Sequence, residues 1–284
     1  MTRLTPQDIV YGAGDLEHYD ADLIQKTGCS LRSLACRAVG FSEYSFLKAA
    51  ETSSIAVVPV TAGMGIISGF CEAVAAIVSH LGCKVFVTHG TDVAGLAEAA
   101  ENKANVIMLA DDQFFVVIHH GRQWHMENSR ATALGFVTGL ALMTGNRLSR
   151  QNVLLIGCGR VGQQAVGALC DHNCNINIYD INSDNYDYLI KVIDKECRAR
   201  IQRVTRLNDA LLSHRLIVDA SPAADMIHVE HIFSNTYISA PGIPLGLDAD
   251  ARKKIRTRLM HDPLQTGVAV MTAGAMQACH GPVV

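Results

Sequence analysis

The chain of 284 residues carries little charge for its length and lacks the marks of several protein classes. Charged residues make up 18%, hydrophobic residues 49%, and the net charge is −3, which argues against disorder and against a basic nucleic-acid-binding face. The longest apolar stretches, such as Ile55–Val60, have the length of a strand and fall short of the roughly 20 residues that span a bilayer. The opening residues lack the apolar core of a signal peptide. We therefore expect a soluble cytoplasmic protein with small-molecule partners, and neither nucleic acid nor membrane.

The nine cysteines and twelve histidines do not show the spacing of a metal site. Neither a Cys-x-x-Cys pair nor a His-Glu-x-x-His motif occurs, so no metal ion is predicted. The densest histidine group is His119-His120 with His125, but neighbouring residues of a strand point to opposite faces. The odd number of cysteines, in apolar surroundings, predicts free buried thiols in a reducing compartment.

The first part of the chain alternates strand-like and helix-like segments, which is typical of a parallel sheet. Residues 1 to about 50 read as mostly helical, and Thr5–Asp8 suits a first helical turn because proline is favoured there. The later segments are strands at Ile55–Val60, Lys84–Thr88, Asn105–Leu109 and Phe114–His119, and helices at Ile66–His80 and Val93–Glu101. The polar patch Gly121–Arg130 follows them.

A long helix pattern at Ala131–Met143 connects this part to a second alternating series. Its strands are predicted at Asn152–Ile156, Asn175–Tyr179, Ile201–Val204, Arg215–Asp219, Tyr237–Ala240 and Arg258–Met260. Six strands suit a complete dinucleotide-binding fold. The predicted fold class is α/β, with a smaller N-terminal substrate lobe over residues 1–126 and a connecting helix plus Rossmann NAD-binding domain over residues 127–284.

A glycine motif marks the start of the second series. The segment Gly157-Cys-Gly159-Arg160-Val161-Gly162 follows a buried strand and leads into a helix, the context in which Gly-x-Gly-x-x-Gly is a strong signal. The first glycine permits a tight turn, the second lets the backbone approach a pyrophosphate, and the third lets helix and strand pack closely. The N–H groups at the helix start, at Arg160 and Val161, are then offered to phosphates.

The next strand ends in Asp180, at about the spacing of 20 residues from the glycines that is expected of a ribose-binding carboxylate. Because such a carboxylate repels a 2′-phosphate, it predicts NAD rather than NADP. The alternative is that Asp180 only ends a strand or caps a helix. Two later loops also follow parallel strands where cofactors lie; they contain Ser221-Pro222 and Pro241-Gly242. Ordinary turns would look similar.

Three further segments are candidates for substrate binding. The junction Thr61-Ala-Gly63-Met-Gly65 could bind an anion through the Thr61 hydroxyl and the first N–H groups of a helix, or be a plain helix cap. Asp111 and Asp112 end an apolar strand, so that one acid can cap a turn while the other recognises an amine or moves a proton. His261-Asp262 follows the last strand and could face a cleft between the lobes.

These motifs together resemble the pyrrolysine synthase family, the NAD-dependent dehydrogenases that complete pyrrolysine biosynthesis. The resemblance runs from about residue 55 to 273, with a looser match at Leu4-Thr-Pro6 and Thr27-Gly28. It is carried by Pro59-Val-Thr-Ala-Gly-Met-Gly-Ile-Ile67, Met108-Leu-Ala-Asp-Asp112, Gly157-Cys-Gly-Arg-Val-Gly162, Ser221-Pro-Ala-Ala-Asp225, Pro241-Gly-Ile-Pro244 and Asp262-Pro-Leu264.

The resemblance implies oxidation of the terminal primary amine of 3-methylornithinyl-lysine, followed by loss of ammonia and ring closure to the pyrroline. A carboxylate must then orient the amine and take its proton, because hydride leaves the carbon only when the amine is neutral. We expect Asp112 in this role and Asp262 as its partner. The Thr61–Gly65 turn would hold the polar end of the substrate, and a helix around Leu4 would close over it and exclude water. A homodimer is also expected, since small NAD enzymes are commonly symmetric dimers.

The chain departs from the family pattern at three positions. Ala62 and Met64 stand where the family usually has serine and asparagine, and Asp262 stands where it usually has glutamate. Either the substrate sits differently or the substrate has changed. Two alternatives therefore stay open: a dehydrogenase for another ornithine-like amino acid, and a non-catalytic NAD-binding regulator in which the acids are structural.

Overall fold

The structure of the protein is a computed structural model, which describes residues 4, 5, 9 and 13–280. The helices are α1 (Ala13–Thr27), α2 (Leu31–Ala38), α3 (Glu43–Thr52), α4 (Phe70–His80), α5 (Asp92–Glu101), α6 (Asn128–Met143), α7 (Arg160–Asp171), α8 (Ser183–Val192), α9 (Lys195–Arg198), α10 (Leu207–Ser213), α11 (Ala249–Ile255) and α12 (Gln265–His280). The strands are β1 (Ser54–Val58), β2 (Lys84–Val87), β3 (Val106–Ala110), β4 (Phe115–His119), β5 (Trp124–Glu127), β6 (Asn152–Ile156), β7 (Asn175–Tyr179), β8 (Ile201–Arg203), β9 (Leu216–Asp219), β10 (Tyr237–Ser239) and β11 (Leu259–Met260).

The chain forms two compact units, each described here by itself. The first unit comprises residues 1–24, 29–135 and 263–284, and the second comprises residues 25–28 and 136–262. The C-terminal segment thus lies in the unit of the N-terminal sheet. The domain boundary after residue 126 stays a prediction.

The sheet of the first unit is mixed. Its strand order is β2-β1-β3-β4-β5; β1 pairs in parallel with β2 and β3, whereas β4 is antiparallel to both β3 and β5. The expectation of a parallel sheet is therefore confirmed for β1, β2 and β3, whereas β4, for which no direction was predicted, is antiparallel. Only residues 111–114 join β3 to β4, and so short a loop makes a hairpin, because a parallel crossover needs a dozen or more residues. The strand β5 lies inside the segment interpreted as a polar patch.

The helix α12 forms the centre of the first unit. It packs against α2, α3, α4 and the antiparallel strands β4 and β5. Its sequence contains no charged side chain other than a terminal histidine, and most of its residues are fully buried, including Val268, Met271 and Met276. A helix that is apolar on every side belongs in a core rather than on a surface.

The sheet of the second unit is entirely parallel, with the order β11-β10-β9-β6-β7-β8. Numbered within the unit, this is the order 3-2-1-4-5-6 of the Rossmann fold, and it reverses direction between β6 and β9. The six predicted strands are all present, with ends that differ by at most one residue. Buried aliphatic side chains such as Leu154, Ile217 and Ile238 form its core. The predicted α/β class with a C-terminal Rossmann fold is confirmed.

The cysteines differ from the expectation in one respect. Cys170, in α7, and Cys197, in α9, form a disulfide, so the prediction that all cysteines are free is wrong for this pair. Local sequence could not show it, because the two residues are 27 positions apart. The other seven are free thiols, and all but Cys279 are buried.

Two structural features are not found in the part of the chain that the structure describes. None of its helices combines the length and apolar character needed to cross a membrane. Within the same residues, no group of three or more histidine, cysteine or acidic side chains is placed to hold a metal ion.

Candidate functional site

The glycine turn between β6 and α7 has the geometry that each of its three glycines predicts. Gly157 has a φ of 91°, and a Cβ there would lie 3.0 Å from the carbonyl of Ala220. A Cβ at Gly162 would overlap the carbonyl oxygen of Gly157, so only glycine lets the helix approach the strand this closely. A Cβ at Gly159, by contrast, would meet nothing within 4 Å. The turn is thus closed on its inner side and open at Gly159, where a ligand can approach the backbone.

The N-terminus of α7 is open to a ligand as well. Its N-cap is Gly159, and no side chain caps the first turn. The N–H groups there have no partner within the helix, and the helix dipole gives this end partial positive charge. Arg160 and Val161 are the first two residues of this helix, and contact of their N–H groups with a phosphate stays a prediction.

Asp180, at the end of β7, is bound to the glycine turn. Its Oδ2 accepts a hydrogen bond of 2.5 Å from the Cys158 N–H, and its Oδ1 accepts from the N–H of Asn182 and the side chain of Asn185. Asp180 does not cap α8, whose N-cap is Asn182, and its role in ribose binding stays a prediction. A carboxylate has about four acceptor sites, so these three bonds leave room for a ribose hydroxyl.

The two loops that follow β9 and β10 pack against each other. The Gly242 N–H donates to the Asp219 carbonyl at 2.9 Å, and a Cβ at Gly242 would overlap the carbonyl oxygen of Ser221. The predicted residues Ser221 and Pro222 thus lie beside Pro241 and Gly242 at the carboxyl edge of the sheet. The loop after β9 also lies beside Gly157, since a Cβ at Gly157 would contact the main chain of residues 220 and 221.

Sequence reasoning missed Asp219, the last residue of β9. It is fully buried, and its Oδ1 accepts hydrogen bonds from the N–H and the hydroxyl of Ser221 at 3.1 and 2.8 Å. Burial raises the pKa of its carboxyl to about 6, although hydrogen bonding from Ser221 and from the Gly246 N–H acts in the opposite direction. The signal in the sequence was an acid that directly follows three apolar residues of a predicted strand, Leu216–Val218.

In the first unit, the Thr61 turn holds a carboxylate of the protein itself. The Thr61 N–H and hydroxyl both donate to Asp92, at 2.9 and 2.6 Å, and these bonds hold the pKa of Asp92 below its usual value. The helix α4 begins only at Phe70, so the expected helix start at Ile66 is wrong. Gly69, with a φ of 79°, is the N-cap and keeps residues 66–68 out of the helix. Substrate binding by Thr61 stays a prediction.

Asp112 and Gly63 are brought together at the same turn. The Asp112 Oδ2 accepts a hydrogen bond of 2.6 Å from the Met64 N–H, and a Cβ at Gly63 would overlap the Asp112 carboxylate. Gly63 therefore has a second role beyond its φ of 71°, which is to let the acid reach the turn. Gly65 has a φ of 79° and open space around it.

The two neighbouring acids of the first unit have different positions, as the alternation of a strand predicts. Asp111 is exposed, and its Oδ1 accepts from the N–H groups of Gln113 and Phe114, both at 2.7 Å. It therefore shapes the hairpin between β3 and β4. Asp112 is half-buried. Substrate binding by Asp111 and catalysis by Asp112 stay predictions.

The remaining candidates are Asp262 and Leu4. Asp262 follows β11 in the second unit and is 4% exposed. The neighbouring His261 is held through its Nδ1, 2.7 Å from the Ala240 carbonyl. Leu4 is half-buried, but most of the helical turn expected at Thr5–Asp8 lies outside the described residues, so a closing helix there stays a prediction.

Comparison with known proteins agrees with the motifs. Residues 9–124 match the family model described as pyrrolysine biosynthesis protein PylD, N-terminal domain. The chain is 28% identical over 271 residues to a pyrrolysine synthase from Methanosarcina barkeri, a match that covers 95% of this chain and 97% of that protein.

Solved structures share the fold. A quinate dehydrogenase from Corynebacterium glutamicum in complex with NAD has a TM-score of 0.54 and 16% identity, and covers 82% of this chain and 95% of its own. A shikimate dehydrogenase from Aquifex aeolicus also has a TM-score of 0.54, with 12% identity and coverage of 83% and 95%. The predicted resemblance to the pyrrolysine synthase family is confirmed, since the chain is similar to a pyrrolysine synthase over 95% of its length and residues 9–124 match the PylD N-terminal domain model.

Proposed function

We propose that the protein is an NAD-dependent amine dehydrogenase of pyrrolysine biosynthesis, which oxidises the terminal primary amine of 3-methylornithinyl-lysine. The observation that carries this proposal is the similarity to a pyrrolysine synthase over 95% of the chain. The Rossmann order of the second sheet and the open glycine turn support a nicotinamide cofactor. The family and the fold thus agree on a dehydrogenase.

The residues of the second unit fit a dinucleotide. The main chain at Gly159 and the first N–H groups of α7 would hold the pyrophosphate, and Asp180 would bind the adenosine ribose. We propose NAD rather than NADP because a 2′-phosphate would meet the Asp180 carboxylate. Ser221-Pro222 and Pro241-Gly242 would contact the nicotinamide end. When bound, the cofactor would supply the hydride acceptor.

The acid of the first unit suits the amine. Asp112 is positioned by the Met64 N–H through one oxygen, and a carboxylate in this place can orient an ammonium group and take its proton before hydride leaves the carbon. Nearby Met64 and Ile66 are 70% and 48% exposed, so apolar surface flanks this carboxylate. That combination matches an amine at the end of an aliphatic chain.

The other predicted roles complete the proposal. Asp262 would be a second catalytic carboxylate, while Thr61, Gly63, Gly65, Asp111 and Leu4 would bind or enclose the substrate. We further propose a cytoplasmic homodimer.

The test is incubation with NAD and synthetic 3-methylornithinyl-lysine. NADH should form together with a product lighter than the substrate by one ammonia and two hydrogens, since the water taken up by the imine is released on ring closure. If NAD were reduced only with other ornithine-like amines, the substrate would differ from that of the family. This is the second candidate function, because the exposed side chain at this turn is Met64 where the family usually has asparagine. Binding of NAD without turnover of any amine would refute the proposed dehydrogenase activity and favour the non-catalytic NAD-binding regulator.

The matched variants separate chemistry from structure. Asp112→Asn should abolish turnover while NAD affinity stays nearly intact, because the amide cannot take the proton. Asp209→Asn removes an exposed acid of α10 that pairs with Arg206, and it should leave turnover unchanged. Turnover at the wild-type level in Asp112→Asn would remove this residue from the mechanism.

A further inference from the structure

Asp219 is a buried acid that the proposed chemistry does not use. It ends β9, next to the point where the strand order of the second sheet reverses. Within the part of the chain that the structure describes, its Oδ2 has no hydrogen bond of good geometry. The nearby Gly246 N–H lowers its pKa, and no charged side chain acts on it. Above its pKa of about 6, the group is therefore an anion in the protein interior without a counter-ion.

The surroundings of this acid are the loops assigned to the cofactor. A Cβ at Gly246 would overlap the Asp219 Oδ2, and the Met226 methyl also lies there. Ser221 bonds to Oδ1, and the Gly242 N–H bonds to the main-chain carbonyl of Asp219. Because these neighbours are uncharged and exclude water, the field of the carboxylate is weakly screened.

The two ends of a dinucleotide fall on opposite sides of the reversal in strand order. The adenosine end is assigned to Asp180, after β7, so the nicotinamide end belongs to the loops after β9 and β10. These are the loops that enclose Asp219. The nicotinamide ring carries a positive charge when oxidised and none when reduced, so a fixed anion beside these loops stabilises the oxidised form more.

We propose that the buried Asp219 carboxylate makes the cofactor site selective for the oxidised nicotinamide. This inference rests on the proposed function, because it concerns the same cofactor site. It assigns to Asp219 the role of a specificity-determining residue that acts by its charge. Such a preference suits an enzyme that works in the oxidative direction.

The experiment compares the Kd values of NAD, NADH and ADP-ribose for the wild-type protein and for Asp219→Asn by titration calorimetry. The amide keeps the Oδ1 acceptor for Ser221 but removes the charge. We expect NAD to bind roughly three- to tenfold more weakly, while NADH and ADP-ribose change by less than about twofold. Equal weakening of all three ligands, or no change in the NADH-to-NAD ratio, would overturn the inference.

A control and a second measurement keep the result unambiguous. Asp248→Asn removes a carboxylate of the same unit that caps α11, and it should leave the NADH-to-NAD ratio unchanged. Should Asp219→Asn not fold, the wild-type ratio at pH 5 and pH 8 gives the same information, because Asp219 is largely protonated at pH 5; an unchanged ratio there overturns the inference. A wild-type protein that binds ADP-ribose but neither nicotinamide form would refute the proposed function instead.

Discussion

Asp219 should make the stability of the second unit fall as the pH rises. Its pKa is raised by burial from 3.8 to about 6, so the folded unit holds the proton more tightly than the unfolded chain between these values. Stability contributed by a proton held in this way is fully present below pH 4 and is lost as the pH passes 6. A shift of about two units corresponds to about 3 kcal/mol, of which about 1.4 kcal/mol is lost between pH 5 and pH 8.

Hydrogen exchange can measure this pH dependence of stability at the strand that carries Asp219. The amides of β9, at residues 216–219, report the free energy of opening of the strand that carries the acid. We expect the opening free energy of the wild-type protein to fall by about 1.4 kcal/mol more between pH 5 and pH 8 than that of Asp219→Asn. The comparison between the two proteins cancels the other titrating groups. If the opening free energy changed equally with pH in the wild-type protein and in Asp219→Asn, the Asp219 carboxyl would not lose a proton between pH 5 and pH 8, which would refute the prediction.

Three further predictions concern glycines and the disulfide. Gly159→Ala should leave the melting temperature unchanged, because its Cβ would enter open space, but should weaken NAD binding in a titration by about tenfold or more. Gly63→Ala should displace the Asp112 carboxylate and lower turnover far more than Gly65→Ala. Gly65 also has a positive φ, but a Cβ there displaces no neighbour. Equal losses of turnover in the two variants would mean that only backbone strain matters. Reduction of the Cys170–Cys197 bond should lower the free energy of unfolding by about 3 kcal/mol, given the 27-residue separation and the loss of loop-closure entropy, and a Cys170→Ser variant with an unchanged denaturant midpoint would contradict this.

The second unit was predictable because its local signals agree with each other. Each apolar strand is bounded by turn residues, and the glycine motif fixes where the first strand ends and the helix begins. The direction of β4 was not predictable from its periodicity, since parallel and antiparallel strands show the same alternation of side chains. The useful signal was the loop at 111–114, which is too short for a crossover.

The candidate site was predictable only as separate pieces. Asp112 and the glycine turn stand out as local motifs, but the reason for Gly63 lies in an acid 49 positions later in the chain. Likewise, the partner of Thr61 is Asp92, on a helix that begins beyond β2. Asp219 escaped notice because an acid at the end of an apolar strand is usually a turn former. Contacts between distant segments leave no local pattern.

These contacts decide which charge the first unit presents to a ligand. The Thr61 turn had two possible uses: its N–H groups could bind an external anion, or they could bind acids of the protein. The structure gives the Thr61 and Met64 donors to Asp92 and Asp112, and the lowered pKa of Asp92 keeps that acid ionised. Two carboxylates at one turn repel a substrate carboxylate and attract an ammonium group. The turn is therefore better suited to the amine of the substrate than to its acid end, and binding of the substrate there stays a prediction.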